Sequence, residues 1–163
     1  MFSNVDEYIA GLLTRDEVVV FLGEIERMKE AIYKTNEGSL EAILETGVGE
    51  KPGRLIRSEL EQAGKMTDTH FQEQYFDKIA EQLKNMPTVN IELAVEPTRE
   101  FVLKLKEKLS EYIQTSVAIN YKVSPSLMAG VRVAYEGKYY DYSFETMWPE
   151  IWAEIKKKLN SSA

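Results

Sequence analysis

The sequence predicts an α+β chain, with a small helical bundle over residues 1–86 and an α/β domain over residues 87–163 built on a mixed sheet of about four strands and two helices. Three observations predict it. Up to Met86 the apolar residues recur at spacings of three and four; from Pro87 the spacing falls to two; beyond residue 96 the two periods alternate. Helices gathered ahead of strands make two small domains or one α+β chain, with a boundary near residue 86.

The bundle opens with "NVDEYIAGLL", a short helix with Val5, Tyr8, Ile9, Leu12 and Leu13 inward. "RDEVVVFLGEIERMKEAIYK" then carries Val18, Leu22, Ile25, Met28 and Ile32 on one stripe, with Thr14 or Asp16 as its N-cap. "GSLEAILETG" and "PGRLIRSELEQAG" are short, glycine-bounded and amphipathic, through Leu40, Ile43 and Leu44 and then Leu55, Ile56 and Leu60. "TDTHFQEQYFDKIAEQLKNM" sets Phe71, Tyr75, Ile79, Leu83 and Met86 on one face behind an Asp68 cap.

In "TVNIELAVEP" the alternation of Val89, Ile91, Leu93 and Val95 predicts a strand with one buried face. Pro97 is expected in the first turn of the helix "TREFVLKLKEKLSEYI", whose stripe is Phe101, Val102, Leu105, Leu109 and Ile113. "TSVAINYKV" alternates again, and its link to the first strand is long enough for a right-handed parallel crossover. "GVRVAYEGKYYDYS" predicts two antiparallel strands about "EGK". "FETMWPEIWAEIKKKL" closes the chain as a helix with Met147, Trp148, Ile151, Trp152, Ile155 and Leu159 on one face.

Composition narrows the function. A net charge of −7 over 163 residues opposes phosphate backbones and anionic lipids, and the longest basic run, Lys156–Lys158, sits where a helix dipole favours cations. No nucleic-acid partner and no direct membrane insertion are expected. The absence of cysteine removes disulfides, thiolate nucleophiles and thiolate zinc sites. The acidic N-terminal stretch does not read as a signal peptide, so a cytosolic or cytosol-facing protein is expected.

Catalytic chemistry finds no foothold, and no catalytic, cofactor-binding or metal-binding residue is assigned. His70 is the single histidine, beside Phe71 in a helical first turn, and reads as a surface or packing residue. Carboxylates such as Glu24, Glu26 and Glu30, or Glu41 and Glu45, fall opposite the apolar stripes and read as solvated helix faces. "GVGEKPGR" at 47–54 lacks the spacing of a phosphate loop, and Pro52 removes an amide that such a cradle needs; it reads as a helix–helix turn. The hairpin aromatics Tyr135, Tyr139, Tyr140, Tyr142 and Phe144 read as cross-strand packing. Trp148 and Trp152, one turn apart, are either core or an anchor pair for a partner helix.

One stretch, "VSPSLMAGVRVAYEGKYYDYS", carries a family resemblance. A strand, a P-S-L-x-x-G loop, a hairpin ending in D-x-S and a closing helix resemble the C-terminal domain of the delta subunit of the rotary ATP synthase, related to the oligomycin-sensitivity-conferring protein. Pro125, Ser126, Leu127 and Gly130 match the loop and Asp141 and Ser143 the second element, whereas Ser124, Ala129 and Tyr142 depart from the pattern. Pro125 is expected to stop the strand, Leu127 and Met128 to plug the core, and Ala129 and Gly130 to let the backbone pass closely. The resemblance implies a non-catalytic stator subunit without a cofactor. It would bind N-terminal segments of the alpha subunits through its helical domain and the C-terminal helix of subunit b through its second domain, at the cytoplasmic face of the membrane. Partner-binding candidates are the exposed parts of three stripes: Val18, Leu22 and Ile25; Phe71, Tyr75 and Ile79; Trp148, Ile151 and Trp152. The E-type peripheral stalk protein of V-type and archaeal ATPases is similar in its second half, but its first half would be one long helix, against the glycines and prolines between residues 38 and 64. A free-standing adaptor and a small-molecule binder with a pocket between the domains are the remaining readings.

Overall fold

The computed structural model describes residues 3–35 and 39–161 and forms two compact units, Met1–Pro87 and Thr88–Ala163. Gly38, expected to lead into a helix, lies outside the described residues, as does the side chain of Leu159.

Unit 1 contains α1 (Ser3–Gly11), α2 (Arg15–Ala31), α3 (Leu40–Ala42) running into a π-helical turn (Ile43–Gly47), α4 (Glu50–Gln62) and α5 (Thr69–Lys84). Thr14, rather than Asp16, caps α2. Its Oγ1 accepts the Glu17 amide at 3.2 Å, while the Glu17 carboxylate accepts the amides of Leu13 and Thr14 at 2.6 and 3.4 Å. Asp68 caps α5 by accepting the Phe71 amide at 3.0 Å.

Helix α4 starts at Glu50, two residues ahead of the expected start at Pro52. Proline at its third position lacks an N–H that would find no intrahelical partner anyway. The Gly49 amide at its cap donates instead to Glu24 Oε1 at 2.9 Å, so this carboxylate on α2 has a structural use. A Cβ at Gly53 would lie 2.8 Å from Val48 Cγ2 and 2.9 Å from the Leu44 carbonyl oxygen; glycine is what lets α4 approach the π-helical turn. The core gathers Val5, Phe21, Ile25, Met28, Ile56, Leu60, Phe76 and Leu83, and α2 and α5 pack side by side with Lys29–Asp77 and Lys84–Glu26 ion pairs across them.

Unit 2 is a four-stranded sheet in the order β2-β1-β3-β4, with β1 (Thr88–Leu93), β2 (Ala118–Val123), β3 (Gly130–Tyr135) and β4 (Lys138–Ser143). The β1–β2 pair is parallel and is joined by α6 (Arg99–Ile113); the other pairs are antiparallel. The hairpin turn is Glu136–Gly137, both at positive φ (48° and 75°), as a two-residue turn requires. Helix α7 (Phe144–Ser161) follows β4 without an intervening residue.

Three expectations shift. Strand β1 ends at Leu93, whose carbonyl oxygen accepts the Ser124 amide at 2.7 Å, so Val95 lies beyond the ladder and is exposed. Pro97 sits outside α6, which Thr98 caps by accepting the Phe101 amide at 3.2 Å. The α6 stripe is rotated so that Phe101 is exposed and Lys106 is buried beside Val102. A lysine stem is apolar enough for that place.

The pleat sorts the sheet into two faces. Val89, Ile91, Leu93, Ile119, Val131, Val133, Tyr140 and Tyr142 share one; Asn90, Glu92, Asn120, Lys122, Arg132, Tyr139 and Asp141 share the other. On the polar face the Asn120 amide donates to Asn90 Oδ1 at 2.7 Å across the parallel pair.

Candidate interaction surface

The matching residues of the loop and hairpin end build one joint. Pro125–Leu127 form a 3₁₀ turn that buries Leu127 completely. The Ala129 amide then donates to the Leu127 carbonyl oxygen at 2.6 Å, with Met128 at φ 58° and ψ −49°: a γ-turn of the positive-φ kind, which is strained for a residue with a side chain. It throws Met128 outward, 63% exposed, so Leu127 alone of the expected pair plugs the core. Pro125 and Ser126 stay on the surface, with Ser126 Oγ 3.1 Å from Ser124 Oγ.

Gly130, at φ 92°, passes so close to β4 that a Cβ would fall on the Tyr142 carbonyl oxygen. Next to it the Phe144 amide donates to the Ala129 carbonyl oxygen at 2.8 Å. Asp141 accepts the Ser143 amide at 2.9 Å and Arg132 Nε at 2.8 Å, and Ser143 hydrogen bonding, followed by the guanidinium, holds its carboxyl well below the usual range. The buried Ser143 Oγ accepts the Thr146 amide at 3.4 Å in the first turn of α7, while Arg132 Nη2 reaches Glu145 at 3.1 Å. Loop, hairpin end and helix start therefore interlock in this conformation, and the joint fixes where the chain leaves the sheet.

What α7 presents is apolar and uncovered. Trp148 and Trp152 stack with ring centroids 5.8 Å apart, Phe144 packs on Trp148 at 4.9 Å, and Lys156 Nζ lies over the Trp152 ring at 5.5 Å. The two indoles remain 41% and 44% exposed; Met147 and Ile155 are also exposed and Ile151 is half-buried. The core reading of the tryptophan pair is thus replaced by a surface one. Elsewhere on unit 2, α6 and the β3–β4 hairpin enclose an open groove of about 640 Å³, floored by Val89 and Val133 and walled by Leu109, Tyr112, Tyr140 and Tyr142.

The candidates on unit 1 divide. Val18, Ile25, Tyr75 and Ile79 pack inside its core, because their stripes face the other helices, so they are corrected to packing residues in this chain. Leu22 and Phe71 are half-buried. The exposed apolar residues on α2 are Val19 and Val20, foreshadowed only by the unusual "VVV" run. A further polar group escaped the sequence reading. Glu59 is buried within the α4 stripe, three residues after Ile56, and accepts the Val5 amide and the Tyr75 hydroxyl, each at 2.9 Å. His70 is exposed against Gln74. Among the described residues no cluster of histidine and carboxylates could hold a metal ion, and no helix is long and apolar enough to cross a membrane.

A family model, ATP synthase delta (OSCP) subunit, matches residues 27–151, about three quarters of the chain and both units. No curated protein matches the chain.

Proposed function

Because the chain belongs to the ATP synthase delta (OSCP) subunit family, non-catalytic stator components of the peripheral stalk in the F-type ATP synthase, we propose that its two units act as separate domains that share the stator's task. Unit 2 grips the C-terminal helix of subunit b along α7, with Trp148, Ile151 and Trp152 as anchors. Unit 1 holds N-terminal segments of the alpha subunits on its surface, with Leu22 and Phe71 at the contact. The chain works on the cytoplasmic side, peripheral to the inner face of the cell membrane through the complex.

The uncovered aromatic stripe on α7 carries this reading. Large aromatics dominate interface energetics, and an apolar stripe at i, i+1, i+4, i+5 and i+8 fits the seam of a partner helix. The joint at Asp141 and Gly130 anchors the end of β4 from which that helix departs, as a stator needs.

The test uses the chain's own optics. Both tryptophans of the sequence lie on α7, so titration with a peptide of the subunit b C-terminus should change their emission saturably as the indoles exchange their surroundings for the partner's seam. Co-purification with alpha and b chains is the companion measurement. A chain that recovers neither from a cell expressing all three would sink the assignment of partners.

A further inference from the structure

Unit 2 leaves two apolar surfaces uncovered, and the chain joins them directly. One is the groove between α6 and the β3–β4 hairpin, with Tyr112, Tyr140 and Tyr142 in its walls; the other is the α7 stripe. The groove reaches Tyr142, and α7 begins two residues later at Phe144. From Lys138 to Tyr142 the groove runs about 14 Å along β4, and a helix over residues 149–159 rises about 15 Å.

Helix α7 also contains its own breaking point. Pro149 is its sixth residue, where it has no N–H for the Glu145 carbonyl and its ring crowds that carbonyl. As the first residue of a shorter helix the same proline would be well placed. Residues 144–148 would then form a five-residue strand-to-helix connection, within the usual two to six or so. The direct β4–α7 junction seen here leaves no room for the helix to turn back while residues 144–148 stay helical. What holds that first turn is the Ser143 cap, the Phe144 amide bond to Ala129, the Phe144–Trp148 ring contact and the Arg132–Glu145 pair, the last with an exposed carboxylate. Exposed pairs hold weakly.

We propose that α7 is a strap: in the free subunit its part beyond Pro149 folds back along β4 and lays Ile151, Trp152 and Ile155 into the α6–hairpin groove, with residues 144–148 as the hinge. The conformation described here is the open one, in which the stripe is available to a partner. Closure is a property of unit 2 itself and does not rest on which partner uses α7. It keeps two apolar surfaces from water until the subunit is assembled.

The full chain has no cysteine, so Glu136→Cys and Lys157→Cys introduce the only two thiols, on the hairpin tip and on α7. Spin labels there read the distance between strap and groove in the free protein. The expected result is a short component, alone or beside a longer one. Pro149→Ala, which favours the continuous helix, should deplete it at least about tenfold. Tyr140→Asp, which puts a charge in the groove wall, should deplete it too. These variants act on different elements, so misfolding of one leaves the other to decide. A distribution without a short component, or one that neither variant changes, overturns the strap.

Discussion

The Tyr75 hydroxyl donates to Glu59 Oε2 at 2.9 Å while the other oxygen of the same carboxylate accepts the Val5 amide, so one buried acid ties α1, α4 and α5 together. Burial, and then the neighbouring carboxylate, push the phenol well above its ordinary pKa, so it stays a donor at any physiological pH. Tyr75→Phe removes the donor and leaves a buried carboxylate oxygen short of a partner. The expected loss is about 1–3 kcal/mol of unit 1 stability, read from denaturant midpoints. An unchanged midpoint would mean that water replaces the hydroxyl without cost.

Asp141 predicts an acid limb. Its folded pKa lies below the value of about 3.9 for an unfolded aspartate, chiefly through Ser143 and then Arg132. The stabilisation is therefore complete above the unfolded value and is lost as the pH falls from there through the folded one. Thermal unfolding of the chain should vary little with Asp141 ionisation between pH 7 and 5 and decline below that. Asp141→Asn should lower the neutral-pH melting temperature and flatten the decline. An acid limb of equal steepness in the variant would assign it to other carboxylates.

Two neighbouring backbone positions should respond with opposite sign. Gly130→Ala puts a methyl onto the Tyr142 carbonyl oxygen at a positive φ, and should cost more than about 2 kcal/mol. Met128→Gly relieves the γ-turn without removing any buried side chain, and should stabilise by about 1 kcal/mol. Chemical denaturation of the two variants checks both; equal signs would contradict the geometry.

Trp152→Ala should leave folding nearly unchanged, because the indole is no part of the buried core, yet weaken the proposed binding of the subunit b peptide by about tenfold or more, equivalent to a hot spot of about 1.4 kcal/mol or above. Calorimetric titration beside a thermal melt separates the two effects. Loss of stability with affinity retained would return Trp152 to the core.

Much of the fold is written locally. Thr14, Asp68 and Thr98 start helices through hydrogen bonds made within three residues, and the alternation in β1 together with the Glu136–Gly137 turn fixes sheet and hairpin in the same short range. What escaped depends on neighbours distant in sequence. Glu59 lies in an apolar stripe and reads as an error of pattern until Val5 and Tyr75 supply its partners. Phe101 yields its inward place to Lys106 because the rotation of α6 is set by the sheet beneath it. The interaction surface divided in the same way. Apolar stripes were visible as stripes, but helix packing decided that Val18, Ile25, Tyr75 and Ile79 turn inward while Trp148 and Trp152 do not.

Strand order bears on force. The chain enters the sheet at Thr88, the start of β1, and leaves it at Ser143, the end of β4; the register sets Leu93 opposite Val131 and Val131 opposite Tyr142, so entry and exit lie at opposite ends of the sheet. Tension between those two points runs along the strands, across hydrogen bonds that lie roughly perpendicular to it. The ladders are then loaded in shear, many bonds yielding together, rather than peeled open one at a time. Pulled between those two points, such a sheet behaves less like a zipper than like a lap joint.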